Sequence, residues 1–358
     1  MARPLAYLII LAALCWAVVF IAFEIQGFNV FAYWDTWNYW QISQHLDAPF
    51  NEYHLPAYPV LIAIGEALLP FLTSQAVMQL LAFGLWLLAI SNTYFVFCDL
   101  EVAFPGEGAL LLGVFPLVGT VYSIVPIAES MTACLVTGAV LAYLRRQGGL
   151  FVLLLAIGIF THKGIWVYSV FMIGAALWEQ QFPRYQIILW VAGFMILPFL
   201  SYWLWGTLHE EDALWILRTS ANVGSDQRGS LPLMEGLIGT LGSGLNGSLV
   251  DLAQAVVCWV VFLAALYLLW SRIWVQYPIL LGFIAAVIIW GVFVTQLEVW
   301  VVVRFGRFLT LPGWIYLHQR RSHFFARWFL QPSPRYTIVG LALLSQIAFS
   351  AYVVSYWT

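Results

Sequence analysis

Apolar and polar positions along this chain are segregated into long blocks, with little of the short-period alternation of an amphipathic soluble fold. Seven apolar runs are long enough for a helix to cross about 30 Å of hydrocarbon. They are Leu5–Phe23, Ala76–Phe97, Ile127–Leu144, Ile187–Leu204, Leu252–Trp270, Ile279–Val299 and Ile338–Val354. Shorter or interrupted runs lie at Pro56–Leu72, Gly108–Val121, Phe151–Thr161, Ile165–Trp178 and Phe308–Leu317. The polar connections between them are Asp99–Glu107, Arg145–Gly149, Glu179–Tyr185, Thr207–Ser248 and Gln319–Arg335. This pattern predicts an all-α, polytopic membrane protein organised as a single transmembrane domain. No soluble domain of useful size and no internal repeat is visible.

One stretch departs from the apolar background. Phe31–Pro59, FAYWDTWNYWQISQHLDAPFNEYHLPAYP, gathers acidic, aromatic, amide and histidine side chains directly after the first apolar run. It predicts a large first external loop, residues 24–55, carrying short interfacial helices. The second long loop, 207–249, contains a mildly apolar, glycine-rich piece at Leu231–Leu245 with the character of an interfacial or re-entrant helix.

Composition sharpens the membrane reading. Of 358 residues, 63% are hydrophobic and 9% charged, and mean hydropathy is +0.89. Soluble domains carry about 25% charged residues. A formal net charge of −3 and the lack of a basic tail leave no nucleic-acid footprint. Cys15, Cys98, Cys134 and Cys258 fall in or beside apolar runs without metal-ligand spacing, and read as core filler. Leu5–Phe23 has no small-x-small cleavage site, so an uncleaved first span is expected.

Orientation follows from the cations. Arg3, Arg145, Arg146, Arg184, Arg272, Arg320, Arg321, Arg327 and Arg335 fall on one side in a consistent topology, which the positive-inside tendency makes cytoplasmic. Phe31–Pro59 is then external. Reaching Arg145 inside requires an odd number of crossings, so one of four candidates does not cross; Pro56–Leu72, short and carrying Glu66, is that one. The expected total is about 11 transmembrane helices, with the N-terminus cytoplasmic and the active face periplasmic, extracellular or lumenal. A bacterial inner membrane is favoured over the endoplasmic reticulum. The sequon Asn246-Gly247-Ser248 is only weak evidence for a lumenal setting.

That topology collects charge on the external face. Asp35, Asp47, Glu52 and His54 come from the first loop, Glu129 from a helix start, and His162 and Lys163 from a tight turn. Arg218 comes from the long loop, and Arg304 and Arg307 precede a late helix. Each has a plain structural reading as well. Asp35 could cap a helix, Glu129 could satisfy first-turn amides, and Lys163 and the arginines could be snorkelling anchors. His54 and His162 could be hydrogen-bonded interface histidines, and the first-loop rings an aromatic belt. Their convergence favours chemistry, because ionisable groups in apolar surroundings are costly unless paired or used. A carboxylate can take the proton of an attacking hydroxyl, while Arg or Lys holds a departing phosphate.

Tyr33-Trp34-Asp35-Thr36-Trp37-Asn38-Tyr39-Trp40 resembles the aromatic-flanked Asp of the first external loop in the GT-C superfamily of integral-membrane glycosyltransferases. It is most similar to the group containing glycosylphosphatidylinositol mannosyltransferase II, the PIG-V type. His54-Leu55-Pro56-Ala57-Tyr58-Pro59 answers that group's Phe-Pro-Leu-Tyr-Pro-like motif, with Leu-Pro in place of Phe-Pro. Pro126-Ile127-Ala128-Glu129-Ser130 answers a Tyr-Ser-Glu-Ser-like turn without the Tyr. Thr161-His162-Lys163-Gly164 matches a Thr-Arg-x-Gly-like turn loosely, and Arg304-Phe305 or Arg307-Phe308 an Arg-aromatic motif. The resemblance spans roughly residues 5–320 in order and topology.

The resemblance implies a glycosyltransferase, a mannosyltransferase in that group, that moves a sugar from a polyprenyl-phosphate donor to an acceptor hydroxyl by an inverting single displacement. Asp35 would be general base, with Glu129 as its substitute or as an orienting acid. Trp34, Trp37, Tyr39, His54, Tyr58, His162, Lys163, Arg218, Arg304 and Arg307 would bind the substrates. Expected partners are the lipid-linked donor, a lipid or glycan acceptor and membrane lipids, with no nucleic acid and a monomeric chain. No cofactor is required; Mg²⁺ or Mn²⁺ on Asp35, Asp47 and Glu52 is chemically admissible and not demanded. The alternatives from other classes are a transporter or flippase of a lipid-linked substrate, or a non-catalytic membrane subunit.

Overall fold

The computed structural model describes residues 2–32, 34–46, 55–115, 119–162, 164–180, 182–196, 200, 203, 237–238, 249–293, 305–322 and 324–357. The regular elements among these residues are all helical, with no β-strand among them. Two helices are long and apolar enough to cross a membrane by length and composition: Pro4–Ile25, within α1 (Ala2–Ile25), and α4 (Ser74–Asp99). Shorter apolar helices are α3 (Ala57–Leu68), α7 (Ala128–Leu144), α8 (Gly148–Ile159) and α9 (Ile165–Trp178).

The centre of the molecule is α7. Nearly every side chain on it is buried, from Ala128 to Tyr143. Its sequence, AESMTACLVTGAVLAYL, explains how this is possible. Ala, Ser, Thr and Gly let neighbouring backbones approach closely, and the threonine hydroxyls are satisfied within the helix. Thr132 and Thr137 donate back to the carbonyls of Ala128 and Ala133. A Cβ at Gly138 would sit 3.2 Å from Asn92 Nδ2 and 3.3 Å from Leu154 Cδ1, so α4 and α8 close on this point from two sides. Asn92 also donates across to the Cys134 carbonyl at 3.2 Å.

Two flanks complete the assembly. On one side α4 packs against α5 (Pro105–Gly113), and α1 against α4, α5 and the final helix, Pro332–Trp357. On the other, α9 packs against the helix Leu281–Phe293, which in turn meets Leu249–Trp270. The surfaces turned away from these contacts are apolar. Tyr7, Ile10, Leu14 and Ile21 of α1 are exposed, as are Val256, Val260 and Leu263 on Leu249–Trp270.

Several apolar runs are subdivided where their sequence looks continuous. The run Gly108–Val121 is not one span: α5 stops at Gly113, and a four-residue helix α6 (Val121–Ile124) follows. The chain doubles back here, so that a Cβ at Gly119 would lie 2.3 Å from the Gly113 carbonyl oxygen. The carbonyl released by the break is taken by the Trp86 indole at 3.0 Å. Gln346 Oε1 receives the backbone N–H groups of Thr120 and Val121. Ile187–Leu204 is interrupted too: α10 (Arg184–Trp190) passes into π-type turns over Val191–Met195. Within the first loop, α2 (Trp34–Gln44) is an 11-residue helix lying against α3. At 12 residues, α3 is about 18 Å long, too short to cross on its own. Most of 207–248 lies outside the described residues.

Candidate functional site

The start of α7 is where the separate polar motifs meet. Pro126 ends the turn after α6, Ile127 is extended, and Glu129 falls in the first helical turn, where the free amides and the helix dipole favour an acid. Its side chain is 5% exposed. Three other parts of the chain converge on it.

The first is the turn between α8 and α9. Thr161 and His162 both return their backbone N–H groups to the Gly158 carbonyl, at 2.8 and 3.0 Å. Gly164 N–H donates to His162 Nδ1 at 3.0 Å. In the neutral ring Nδ1 is therefore the acceptor and Nε2 carries the proton. Nε2 lies 4.0 Å from Glu129 Oε1, beyond hydrogen-bond reach but close enough for charge to act. Gly164 is fixed by packing, since a Cβ there would approach Phe305 Cε1 to 2.4 Å.

The second is the segment before the helix Thr310–Gln319. Arg307 is 2% exposed, and its Nη2 donates to the backbone carbonyl of Glu129 at 2.6 Å. Its guanidinium lies 4.9 Å from the Phe308 ring centroid. Around this cation sit Phe305, Phe308 and Tyr168, with Tyr168 5.4 Å from Phe308 and 6.0 Å from Phe305. Arg304 or Arg307 was the cation expected to hold a lipid phosphate; Arg307 is buried and places a donor on the Glu129 carbonyl, where it holds the start of α7.

The third is the first-loop region. Ala57 N–H donates to the Phe160 carbonyl at 3.0 Å, pinning the start of α3 to the His162 turn. Tyr58 is consequently fully buried, near enough to Glu129 to feel its charge, and its hydroxyl has no hydrogen-bond partner among the described residues. The Tyr39 ring of α2 meets it edge-on at 5.2 Å. One helical turn earlier the buried Thr36 hydroxyl donates to the Pro126 carbonyl at 3.5 Å, which seats the first turn of α2 on the approach to α7. Asp35, in that first turn, is half-buried and has interactions of its own. Trp37 stays exposed, meeting Phe31 edge-on at 5.9 Å and Trp40 at a tilt at 4.8 Å.

The structure thus gathers Tyr39, Tyr58, Glu129, His162 and Arg307 into one region, with the helix turn bearing Asp35 at its edge. His54, Lys163, Arg218 and Arg304 lie outside the described residues, as do Asp47 and Glu52, and only the helical backbone of Trp34 is described. Participants that the sequence did not single out are Tyr122 and Tyr168. Ser130, inside the Pro126–Ser130 motif, donates to the Tyr122 carbonyl at 3.0 Å and braces the same turn. Tyr168 is fully buried with its hydroxyl unpartnered among the described residues, and Arg307's charge reaches it. No group of three metal-ligating side chains occurs among the described residues.

Chemically, the region offers two carboxylates in different settings. Glu129 is enclosed by a histidine, an arginine-held backbone and aromatic rings, which suits orientation and electrostatic stabilisation. Asp35 is only half-buried, which suits proton exchange with a bound hydroxyl. Tyr58 and Tyr168 add buried hydroxyls able to donate or accept. Compared with protein-family models and with curated proteins, the chain matches none.

Proposed function

We propose that this chain is a polytopic membrane glycosyltransferase of GT-C type, moving a sugar from a polyprenyl-phosphate donor to an acceptor hydroxyl. The observation that carries the reading is the seating of the Asp35-bearing turn on the approach to Glu129, through Thr36 and Pro126. Thr36 adjoins Asp35 and Pro126 lies three residues before Glu129, which supports placing the first-loop acid at the edge of the region that holds Glu129, His162 and Tyr58. Asp35 acts as general base on the acceptor hydroxyl. The carboxylate takes the hydroxyl proton as the oxygen attacks the anomeric carbon, and the lipid phosphate leaves with the bonding pair. Trp37 and Tyr39 supply ring faces against which a sugar can lie. Lys163, Arg218 and Arg304 are the cations proposed for the phosphate.

Membrane embedding with about eleven crossings belongs to the same proposal. It is supported by the two long apolar helices and by the apolar faces left exposed around α7. Glu129 and Arg307 within the helical core also suit the alternative of a transporter for a lipid-linked substrate, since buried ionisable groups mark translocation paths as well. Purified protein in lipid nanodiscs, supplied with a panel of polyprenyl-phosphate sugars and a lipid extract as acceptor, separates the two. Formation of a glycosylated product with release of polyprenyl phosphate supports the transferase. Movement of intact donor across proteoliposome membranes without product supports the transporter.

A further inference from the structure

The helix Leu249–Trp270 ends in the turn Ser271–Arg272, where Arg272 takes the left-handed conformation at φ +56°. The Trp274 indole donates to the Leu269 carbonyl at 3.1 Å, and the Arg272 N–H shares that acceptor at 3.2 Å. The first bond fixes the Trp274 ring and the second the Arg272 backbone at the helix end. Between them opens a groove of about 610 Å³ lined by Leu266, Leu269, Trp270, Arg272 and Trp274. Its chemistry is divided, with leucine and indole walls and a guanidinium at the rim. Trp270 is 86% exposed, and Arg272, also exposed, makes no ion pair and no side-chain hydrogen bond among the described residues.

More positive charge lies at the same end. Gln319 Nε2 donates to Gln276 Oε1 at 2.6 Å, tying the last turn of Thr310–Gln319 to the segment after Trp274. The exposed Arg320 and Arg321 follow directly. Tyr316, 6.0 Å beneath the Arg320 guanidinium, shares a hydrogen bond of 2.6 Å with Tyr267 on the helix that lines the groove.

We propose that this groove is a binding site for an anionic phospholipid. The headgroup phosphate sits on Arg272 and an acyl chain lies along Leu266 and Leu269, with Trp270 and Trp274 at the level of the glycerol backbone. Guanidinium pairs with phosphate through two parallel hydrogen bonds, indole rings prefer the membrane interface, and the three arginines favour a net negative headgroup over a zwitterionic one. This site rests on the membrane part of the reading above and is independent of sugar transfer.

Native mass spectrometry of the purified full chain tests it, after delipidation and titration with phosphatidylglycerol, phosphatidylcholine or inorganic phosphate. The expected result is a saturable phosphatidylglycerol adduct, weaker by about tenfold in Arg272→Gln, the loss of one charge-assisted contact. Arg272→Lys should retain most of the binding, and Leu266→Asn should weaken it while leaving Arg272 in place. The last two variants carry the test if Arg272→Gln does not fold. Equal binding of phosphatidylcholine, binding unchanged in Arg272→Gln and Leu266→Asn, competition by inorganic phosphate at equal concentration, or occupation of the groove by a second copy of the chain would each overturn the proposal. Carbonate washing of the source membranes separates the two readings. Protein released by the wash contradicts membrane embedding, whereas embedded protein without lipid preference contradicts only the groove.

Discussion

Arg307 is the residue whose role the geometry defines most tightly, and replacing it by Met isolates that role. Met keeps much of the length and apolar volume but removes the donor to the Glu129 carbonyl and the charge over Phe308. A buried hydrogen bond from a charged group contributes about 1.5–3 kcal/mol, and a desolvated cation over a ring about 1–2 kcal/mol. The two share one side chain and are not additive. The expected destabilisation is therefore about 2–4 kcal/mol, read from the midpoint of an SDS titration followed by circular dichroism. Because the acceptor is the backbone of Glu129, Glu129→Gln leaves this bond intact. The double variant Glu129→Gln, Arg307→Met should be as unstable as Arg307→Met alone. If removing the carboxylate instead restored the stability lost with Arg307, a guanidinium–carboxylate pair would hold the site and the positioning role would be wrong.

Further outcomes follow from other contacts. Tyr58→Phe removes a buried hydroxyl that has no partner among the described residues, so it should leave stability unchanged or slightly raised while lowering transfer activity several-fold; activity equal to wild type would remove Tyr58 from the site. Gly164→Ala places a methyl where Phe305 now sits and should cost about 1–3 kcal/mol, with activity falling as His162 is displaced; an unfolding midpoint equal to wild type would show that the ring moves freely. His318 Nδ1 accepts the Ala103 N–H at 3.0 Å, and burial, with Arg321 nearby, holds its pKa below the ordinary value of 6.5. The neutral ring is the folded form, so its contribution is complete above about pH 6.5 and is lost as pH falls through that value toward the lower folded-state one. Stability measured from pH 7.5 to 5 should show this loss in wild type and less of it in His318→Gln.

The helical, block-apolar character of the chain was legible because side-chain hydropathy over twenty residues is a strong signal. The breaks were not. Gly108–Val121 reads as one apolar run, and what divides it is a tertiary arrangement: Gly119 folding onto Gly113, with Trp86 and Gln346 supplying the missing hydrogen bonds. Nothing local announces that a glutamine over two hundred residues away will serve those amides. At the site, Glu129, His162 and Arg307 were each singled out in the sequence, and the structure brings them together. The use of Arg307 did not follow, because sequence gives a cation's neighbourhood along the chain and not the carbonyl on which its donors end. Tyr168 was invisible for a simpler reason. In a chain with 17 tyrosines and 26 phenylalanines, a ring beside a site looks like any other ring.

The central claim is that Asp35 is the base in a transfer from a lipid-phosphate donor. Single-turnover transfer with purified wild type, Asp35→Asn and Glu129→Gln, using one polyprenyl-phosphate sugar at saturating concentration, tests it most directly. Asp35→Asn keeps the shape and most hydrogen bonds but cannot take the proton, so the rate should fall by about 10²–10⁴-fold with little change in donor binding. Glu129→Gln should retain more of the rate. Asp35→Asn protein that transfers sugar at close to the wild-type rate would contradict the assignment and leave Glu129 as the acid to examine.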